Sequence, residues 1–292
     1  MMISDAEFAL FQALIHREIG IHLSGAKKAL LVARLSGRLR ATGLSSFGRY
    51  YRRAMEDPAE RIRLIDCITT NETHFFREPA HFEILARRLF PEWRAMAAAG
   101  RRSRHIRAWS AGCSTGEEPY SLAMALLHHF HGEPGWSIEI TATDISTRVL
   151  ERAAEGIWLI EGAEKIPVPY LKAFMLRGTG SQEGKMKAGS EIRRVVRFER
   201  LNLNDHHHAP PGRFDLIFCR NVLIYFRGEP KQRIIERLIE HLAPGGHLFL
   251  GHAEGLTGRM GRVESVIPTV YRLVSGADDR ARPRPPPTTR SG

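Results

Sequence analysis

The chain has 292 residues, of which 43% are hydrophobic, so it is long enough for one large α/β domain and a smaller one. Its formal net charge of +11 predicts an acidic partner, but charge alone does not choose among a nucleic acid, an anionic membrane surface and an acidic protein. The cysteines Cys67, Cys113 and Cys219 are far apart, which excludes a disulfide framework or a CxxC metal site and indicates a reducing cytoplasm. No apolar run approaches the length of a membrane span, and segment 1–10 lacks a basic region followed by an apolar core. We therefore expect neither membrane insertion nor a signal peptide.

The first 77 residues are predicted to form a small helical domain. Amphipathic helices are expected at 4–19, 27–39, 46–55 and from Pro58 onward, the first with a capping box in which Ser4 precedes Glu7 by three residues. For any one basic residue on these helices, a solvated surface is the simpler explanation. Because three helices share this excess of basic residues, a surface that docks an acidic partner is an equally good explanation. The basic residues in question are Lys27, Arg34, Arg38, Arg49, Arg52 and Arg53.

A polar loop, TTNETHFFRE at 69–78, joins these helices to the rest of the chain. It is rich in side-chain donors and acceptors, and loops held between scaffolds often carry function. The alternative is a capped helix junction with two core phenylalanines.

The following stretch predicts a ligand cradle. A short strand at 106–110 leads into a turn with Gly112 and Gly116, and a helix opens near Glu117. The loop lacks the Lys-Ser/Thr pair of a triphosphate site. Glu117 and Glu118 suit a ligand with positive charge, such as a sulfonium or ammonium group, although they could instead only complement the helix dipole.

Further polar residues follow the predicted strands. Asp144 ends the strand at 136–143, where an acidic side chain can accept hydrogen bonds from ribose hydroxyls; the alternative is that it caps the helix from Ser146. Asn202 follows the strand at 195–199, either to bond a heterocyclic base or to form a turn. Residues 156–194 interrupt the α/β rhythm with glycines and basic residues, which predicts an inserted hairpin that binds a partner. A terminal hairpin is expected at 263–267 and 270–274 on the sheet edge.

Three motifs together resemble those of the S-adenosylmethionine-dependent chemotaxis receptor methyltransferases of the CheR family. They are TTNETHFFRE at 69–78, AWSAGCSTGEEPYS at 108–121, and FDLIFCRNVLIYF at 214–226 followed by LAPGGHLFLGHAE at 242–254. The resemblance extends from the N-terminal helices to about Val274, and each motif spans ten or more residues in the expected order. The small residues of AGCSTG depart from the family's pattern.

The resemblance implies an α/β fold: a class I S-adenosylmethionine-dependent methyltransferase core, Rossmann-like with a mostly parallel sheet. The core is expected at 78–275, behind a small all-α N-terminal domain at 1–77. A small inserted β-subdomain is expected at about 165–194 and a disordered tail at 276–292. The implied activity is methyl transfer from S-adenosylmethionine to glutamate side-chain carboxylates on cytoplasmic helices of chemoreceptors, with S-adenosylhomocysteine as the product. The implied enzyme is a cytoplasmic monomer that uses no metal and binds no nucleic acid, and a receptor C-terminal peptide is a candidate partner of the β-subdomain.

The resemblance also assigns site residues by position. Arg77 would orient either the acceptor carboxylate or the cofactor's own carboxylate, and Tyr225 would position the acceptor by hydrogen bonding. A glutamate carboxylate is already ionised at neutral pH, so the reaction needs no strong general base. The implied cofactor-binding residues are Asn71, Thr73, Arg77, Ala111, Gly112, Glu117, Asp144, Asn202, Leu203, Arg220 and Asn221.

Three alternative functions fit the sequence less well. A methyltransferase acting on RNA or DNA would suit the basic charge, but we find no aromatic-interleaved basic strand pair and no Asn-Pro-Pro-Tyr motif. A nicotinamide-dependent oxidoreductase is disfavoured by the acidic helix opening and the missing GxGxxG. A non-catalytic receptor-binding protein would have no reason to retain all of the residues Asn71, Arg77, Glu117, Asp144 and Tyr225.

Overall fold

The computed structural model describes residues 2–130, 132–205, 208–256 and 261–274. The N-terminal part contains helices α1 (Asp5–Ile19), α2 (Lys28–Ala41), α3 (Phe47–Glu56) and α4 (Pro58–Ile68). The predicted capping box is confirmed, since the Ser4 side chain accepts from the Glu7 amide and the Glu7 side chain accepts from the Ser4 amide. The apolar faces of the four helices pack into one cluster. Its fully buried members include Phe11, Leu14, Leu35, Tyr50 and Leu64.

The remaining elements alternate between helices and strands. The helices are α5 (Pro79–Ile84), α6 (Phe90–Ala98), α7 (Glu117–Phe130), α8 (Thr147–Glu155), α9 (Val168–Phe174), α10 (Ser190–Arg194) and α11 (Gly228–Glu240). The strands are β1 (His105–Ala111), β2 (Ser137–Asp144), β3 (Ile157–Leu159), β4 (Met175–Arg177), β5 (Lys185–Ala188), β6 (Val196–Arg200), β7 (Phe214–Cys219), β8 (Leu242–Leu250), β9 (Val263–Ile267) and β10 (Val270–Leu273).

A seven-stranded sheet forms the centre, in the order β6-β2-β1-β7-β8-β10-β9. Strand β1 is parallel to both of its neighbours, with Trp109 paired to Thr141 on one side and to Ile217 on the other. The pairs β2 with β6 and β7 with β8 are also parallel, so the predicted mostly parallel sheet is confirmed. Helix α7 packs in the apolar cluster on one face and α11 in the cluster on the other. The carboxyl ends of the parallel strands therefore meet at one edge, between two layers of helices.

The terminal hairpin is confirmed as well. Strands β9 and β10 are antiparallel to each other, and β10 is antiparallel to β8, which places the hairpin at one end of the sheet. In the described residues no helix is both long and apolar enough to cross a membrane. The predicted disordered tail at 276–292 lies outside the described residues.

The inserted sheet lies within the stretch 156–194 that interrupts the α/β rhythm, and it begins before the bound of about 165 that the resemblance implied. Strands β3, β5 and β4 form a separate antiparallel sheet in that order, so the insertion starts at Ile157 and not at about 165. Strand β3 has only three residues, too few for a period-2 pattern to distinguish it from the end of α8.

Candidate functional site

A cleft lies where the carboxyl ends of β1, β2, β6 and β7 face the N-terminal helices. Its empty volume, including the open mouth, is about 1390 Å³. It brings together residues that are far apart in the chain and that the sequence assigned to the cofactor, to catalysis or to a docking surface. The predicted residues that line the cleft are Lys27, Arg34, Asn71, Thr73, Arg77, Gly112, Asp144, Asn202, Leu203, Arg220, Asn221 and Tyr225.

Some predicted residues lie elsewhere. Ala111 is buried inside β1 and does not line the cleft. Arg49, Arg52 and Arg53 lie on the exposed side of α3, away from the cleft. The structure therefore does not place Ala111 in the cleft, since this residue is 1% exposed and pairs with Thr143 in the sheet.

The glycine loop is fixed to the end of β2. The amides of Gly112 and Cys113 both donate to the Thr143 carbonyl, at 2.8 and 2.9 Å. Asp144 Oδ2 accepts from the Ser114 amide at 2.9 Å, and Oδ1 accepts from the Ser146 amide at 3.0 Å. Asp144 thus orients the glycine loop and bonds the amide of Ser146, the residue before α8, while its carboxylate still borders the cleft. Burial raises the pKa of Asp144, and the backbone hydrogen bonds oppose that shift.

The two acidic residues that open α7 point in different directions. Glu117 accepts from the Thr115 hydroxyl at 2.7 Å and lines a second pocket beside Trp158, so the structure does not place it in the cleft. Glu118 lines the cleft. Successive helical side chains diverge by about 100°, which accounts for the two carboxylates lining different pockets. The sequence singled out both residues but assigned only Glu117 to the cofactor.

Arg220 is held by the protein on several sides. Its Nε donates to Glu118 Oε2 at 2.7 Å, and its Nη1 donates to the Arg77 carbonyl and lies 3.6 Å from Glu78 Oε2. The side chain is only 2% exposed. Arg220 therefore connects the start of α7 to the interdomain loop at 69–78. Its side chain forms part of the cleft wall and extends little into the cleft. The sequence missed the role of Glu78; a signal was present, because this residue ends the TTNETHFFRE motif.

The side chains of two asparagines in the cleft differ in their hydrogen bonding. Asn202 donates through Nδ2 to the Glu18 carbonyl at 2.7 Å and accepts the Asn204 amide through Oδ1 at 3.0 Å. Its side chain thus takes part in a turn, as in the alternative interpretation, and in a domain contact, and it also lines the cleft. Asn221 is the opposite case, since its Oδ1 is buried without a hydrogen-bond partner among the described residues.

The N-terminal domain closes the cleft beside Tyr225. The His22 amide donates to the Tyr225 carbonyl at 3.0 Å, and Ile21 forms an isolated antiparallel bridge with Phe226. The Lys27 ammonium lies 5.7 Å from the centre of the Tyr225 ring. Across the cleft, the partly buried Arg77 donates through Nη1 to the Glu72 carbonyl at 3.0 Å.

The two basic residues of α2 that the sequence assigned to docking, Arg34 and Arg38, have different contacts. Arg38 pairs through Nε and Nη2 with the carboxylate of Glu60, at 2.9 and 2.7 Å, and Glu60 is 1% exposed. Arg34 donates to the Ile68 carbonyl and to the Thr70 hydroxyl. The docking assignment of Arg38 is therefore corrected, since its charge neutralises a buried carboxylate instead of facing a partner.

The cleft fits S-adenosylmethionine by its donors and acceptors. It presents carboxylates for hydroxyl and cationic groups, the Arg77 guanidinium for a carboxylate, and in Asn221 Oδ1 a buried acceptor that lacks a partner. Within the part of the chain that the structure describes, no group of three or more His, Cys, Asp or Glu residues is arranged to hold a metal ion.

Comparison with known proteins agrees with this geometry. A family profile described as "CheR methyltransferase, SAM binding domain" matches residues 71–271, and one described as "CheR methyltransferase, all-alpha domain" matches residues 6–69. The "Chemotaxis protein methyltransferase 2" of Pseudomonas aeruginosa is 39% identical over 268 residues, covering 91% of this chain and 92% of the relative. The "Chemotaxis protein methyltransferase" of Escherichia coli is 40% identical over 276 residues, covering 94% and 92%. The resemblance based on the three motifs is thereby confirmed, and the chain belongs to the CheR family of S-adenosylmethionine-dependent methyltransferases.

Proposed function

We propose that the chain methylates glutamate side-chain carboxylates on cytoplasmic helices of chemoreceptors. The observation that carries the proposal is the cleft, in which Arg77 and Tyr225 face the same space as Asp144 and Glu118. The names of relatives that match more than nine-tenths of the chain support a chemotaxis protein as the acceptor.

When bound, S-adenosylmethionine supplies an electrophilic methyl group. Asp144, already oriented by two backbone amides, would accept hydrogen bonds from the ribose hydroxyls. Asn221 would accept from the cofactor's ammonium group through its free Oδ1. Thr73 and Asn71 would line the cofactor from the interdomain loop, and Leu203 would lie along the adenine. These roles need no rearrangement of the buried hydrogen bonds around Asp144.

The acceptor side requires positioning and removal of water. Arg77 would orient either the acceptor carboxylate or the carboxylate of the cofactor, and Tyr225 would hold the acceptor by a hydrogen bond from its hydroxyl. A glutamate is ionised at neutral pH, so none of these residues has to remove a proton. Apolar residues of the N-terminal domain, including Ile19, Ile21 and Leu23, line the cleft and exclude water, which favours a reaction in which opposite charges are lost.

Two surfaces could bind the receptor: a basic surface on α3 and the outer strands of the small sheet. Arg49, Arg52 and Arg53 are exposed and would attract acidic receptor helices, with Lys27 and Arg34 nearer the acceptor at the cleft. The outer strands of the small sheet, β3 and β4, each pair on one side only within the described chain, and an extended receptor-tail peptide could add there. We further propose that the enzyme acts as a monomer in the cytoplasm, where Cys67, Cys113 and Cys219 remain free thiols.

The direct test is transfer of labelled methyl groups to a purified receptor cytoplasmic fragment. Base-labile label on glutamate is expected with the wild-type protein, and Arg77→Ala should reduce turnover by about 100-fold or more, the loss typical of a displaced reacting group. Near-normal turnover of a folded Arg77→Ala protein would remove Arg77 from the mechanism, and label on nucleic acid alone would overturn the proposed acceptor.

A further inference from the structure

Glu254 has a buried carboxylate directly behind the cleft. It lies just after β8 and is 0% exposed. Its Oε2 accepts from the Gly251 and Asn221 amides, both at 2.7 Å, and its Oε1 accepts from the Ile224 amide at 3.0 Å. One side chain therefore ties the end of β8 to the loop that follows the neighbouring strand β7.

That loop carries residues of the cleft in a conformation that needs support. Asn221 has φ of 60°, a left-handed conformation that non-glycine residues rarely adopt. A 3₁₀ turn over Leu223–Tyr225 follows and delivers the Tyr225 ring to the cleft. Strained backbone persists only where surrounding contacts over-determine it, and here the contacts come from the Glu254 carboxylate.

The atoms around this loop are closely packed on both of its sides. A methyl group added at Gly251 would lie 2.7 Å from Glu254 Oε2 and 2.8 Å from the Asn221 amide nitrogen. On the other side of the loop, a methyl group at Gly112 would lie 2.4 Å from Val222 Cγ2. A shift of the loop would thus press on the glycine loop of the cofactor site.

We propose that Glu254 is a positioning residue for methyl transfer, which sets Asn221 for the cofactor and Tyr225 for the acceptor through the backbone amides of their loop. The inference rests on the proposed role of Tyr225. Glu254 does not line the cleft, so it acts through the loop and makes no contact with the reactants.

The test compares kcat, KM and thermal stability for Glu254→Gln, Tyr225→Phe and the double variant. Glutamine keeps the shape but replaces one acceptor oxygen with a donor that faces backbone N–H groups. We expect the Glu254→Gln protein to fold and to lose about 10- to 100-fold in kcat, with KM for the receptor fragment changed by less than about threefold, because a small misplacement of an aligned group acts mainly on turnover. The double variant should lose less than the product of the two single losses, since both changes act on one group.

Asp215→Asn is the matched control. Like Glu254, Asp215 accepts a hydrogen bond from a backbone amide outside its own strand. The donor is the Arg107 amide of the neighbouring strand β1, at 2.9 Å, and the contact lies at the opposite edge of the sheet. This variant should lower the melting temperature while leaving kcat within about twofold, as expected for a contact remote from the cleft.

Each result of these measurements bears on a different part of the proposal. Normal kcat in Glu254→Gln together with a large loss in Tyr225→Phe overturns the positioning role and leaves the proposed function intact. Normal kcat in Tyr225→Phe overturns the role of Tyr225 itself. An equal loss of kcat in Asp215→Asn overturns the inference in favour of general loosening. If Glu254→Gln does not fold, Glu254→Asp, which keeps the charge on a shorter side chain, is measured against the same expectations.

Discussion

The Nε of Arg220 lies 2.7 Å from Glu118 Oε2, and this pair is buried between the glycine loop and the interdomain loop. The arginine side chain is 2% exposed and that of the glutamate 10%. A buried ion pair contributes little more to the free energy of unfolding than a well-packed apolar pair would. Removal of one partner, however, leaves an uncompensated charge away from water. The two walls of the cleft are therefore electrostatically dependent on each other.

We expect Glu118→Ala to lower the free energy of unfolding by about 3–5 kcal/mol, because among the described residues Arg220 would keep only the more distant Glu78 carboxylate as a counter-charge. The control is Glu229→Ala, which removes the partner of Arg233 where the glutamate is 77% exposed and should cost less than about 0.5 kcal/mol. Urea unfolding of the three proteins measures both values. Equal effects would show that burial of the Arg220 pair does not matter.

Gly112→Ala should disrupt the cofactor site. The residue has φ of 86°, and an added methyl group would meet Val222 Cγ2 at 2.4 Å. Gly43→Ala is a matched control, since Gly43 has a φ of 68° but open space around it. Gly43→Ala should cost about 1 kcal/mol from backbone conformation alone. Gly112→Ala should cost more and should also weaken cofactor binding, as measured by calorimetry; equal unfolding costs with full binding would contradict the close packing at Gly112.

Stability should fall in acid partly because of His247. Burial lowers the pKa of this imidazole from 6.5 to about 4, with Arg272 and Arg88 adding to the shift. Between about pH 6.5 and 4 the unfolded chain therefore binds a proton that the folded chain does not, so the free energy of unfolding decreases as the pH falls through that window. His81, whose pKa is also lowered to about 4, contributes in the same direction.

The measurement is urea unfolding of wild type and His247→Gln from about pH 7.5 down to about pH 5. The wild-type protein should lose stability faster than the variant below about pH 6.5. His16→Gln, at an exposed position of α1, should follow the wild-type profile. Parallel profiles for wild type and His247→Gln would exclude His247 as a source of the pH dependence.

Charge reversal on α3 should weaken receptor association. We expect Arg52→Glu combined with Arg53→Glu to reduce the association rate with an acidic receptor fragment at low salt, and the difference from wild type to shrink as salt shortens the Debye length to about 3 Å near 1 M. Arg197→Glu, at a position where the side chain is 74% exposed on β6, changes the net charge by as much as Arg52→Glu alone and is the control for that single reversal. An equal effect of these two single reversals would indicate that overall charge, and not the α3 surface, steers the receptor.

The features that could be predicted from the sequence are those that a few neighbouring residues determine. The Ser4 capping box and the polar residues at strand ends could be predicted because short-range spacing determines them. The choice between Glu117 and Glu118 could not, because the rotation of α7 relative to the cleft is set by tertiary packing. The contact between Asn202 and the Glu18 carbonyl could not be predicted for a similar reason, since Glu18 lies on a distant helix.

The measurement that tests the account most directly is calorimetric titration with S-adenosylmethionine and S-adenosylhomocysteine of wild type, Asp144→Ala and Glu117→Gln. The account predicts that wild type binds both ligands, that Asp144→Ala binds at least about tenfold more weakly through the loss of a charged acceptor, and that Glu117→Gln, outside the cleft, binds as wild type. Absence of binding to wild type, or binding unaffected by Asp144→Ala, would contradict the assignment of the cleft to the cofactor.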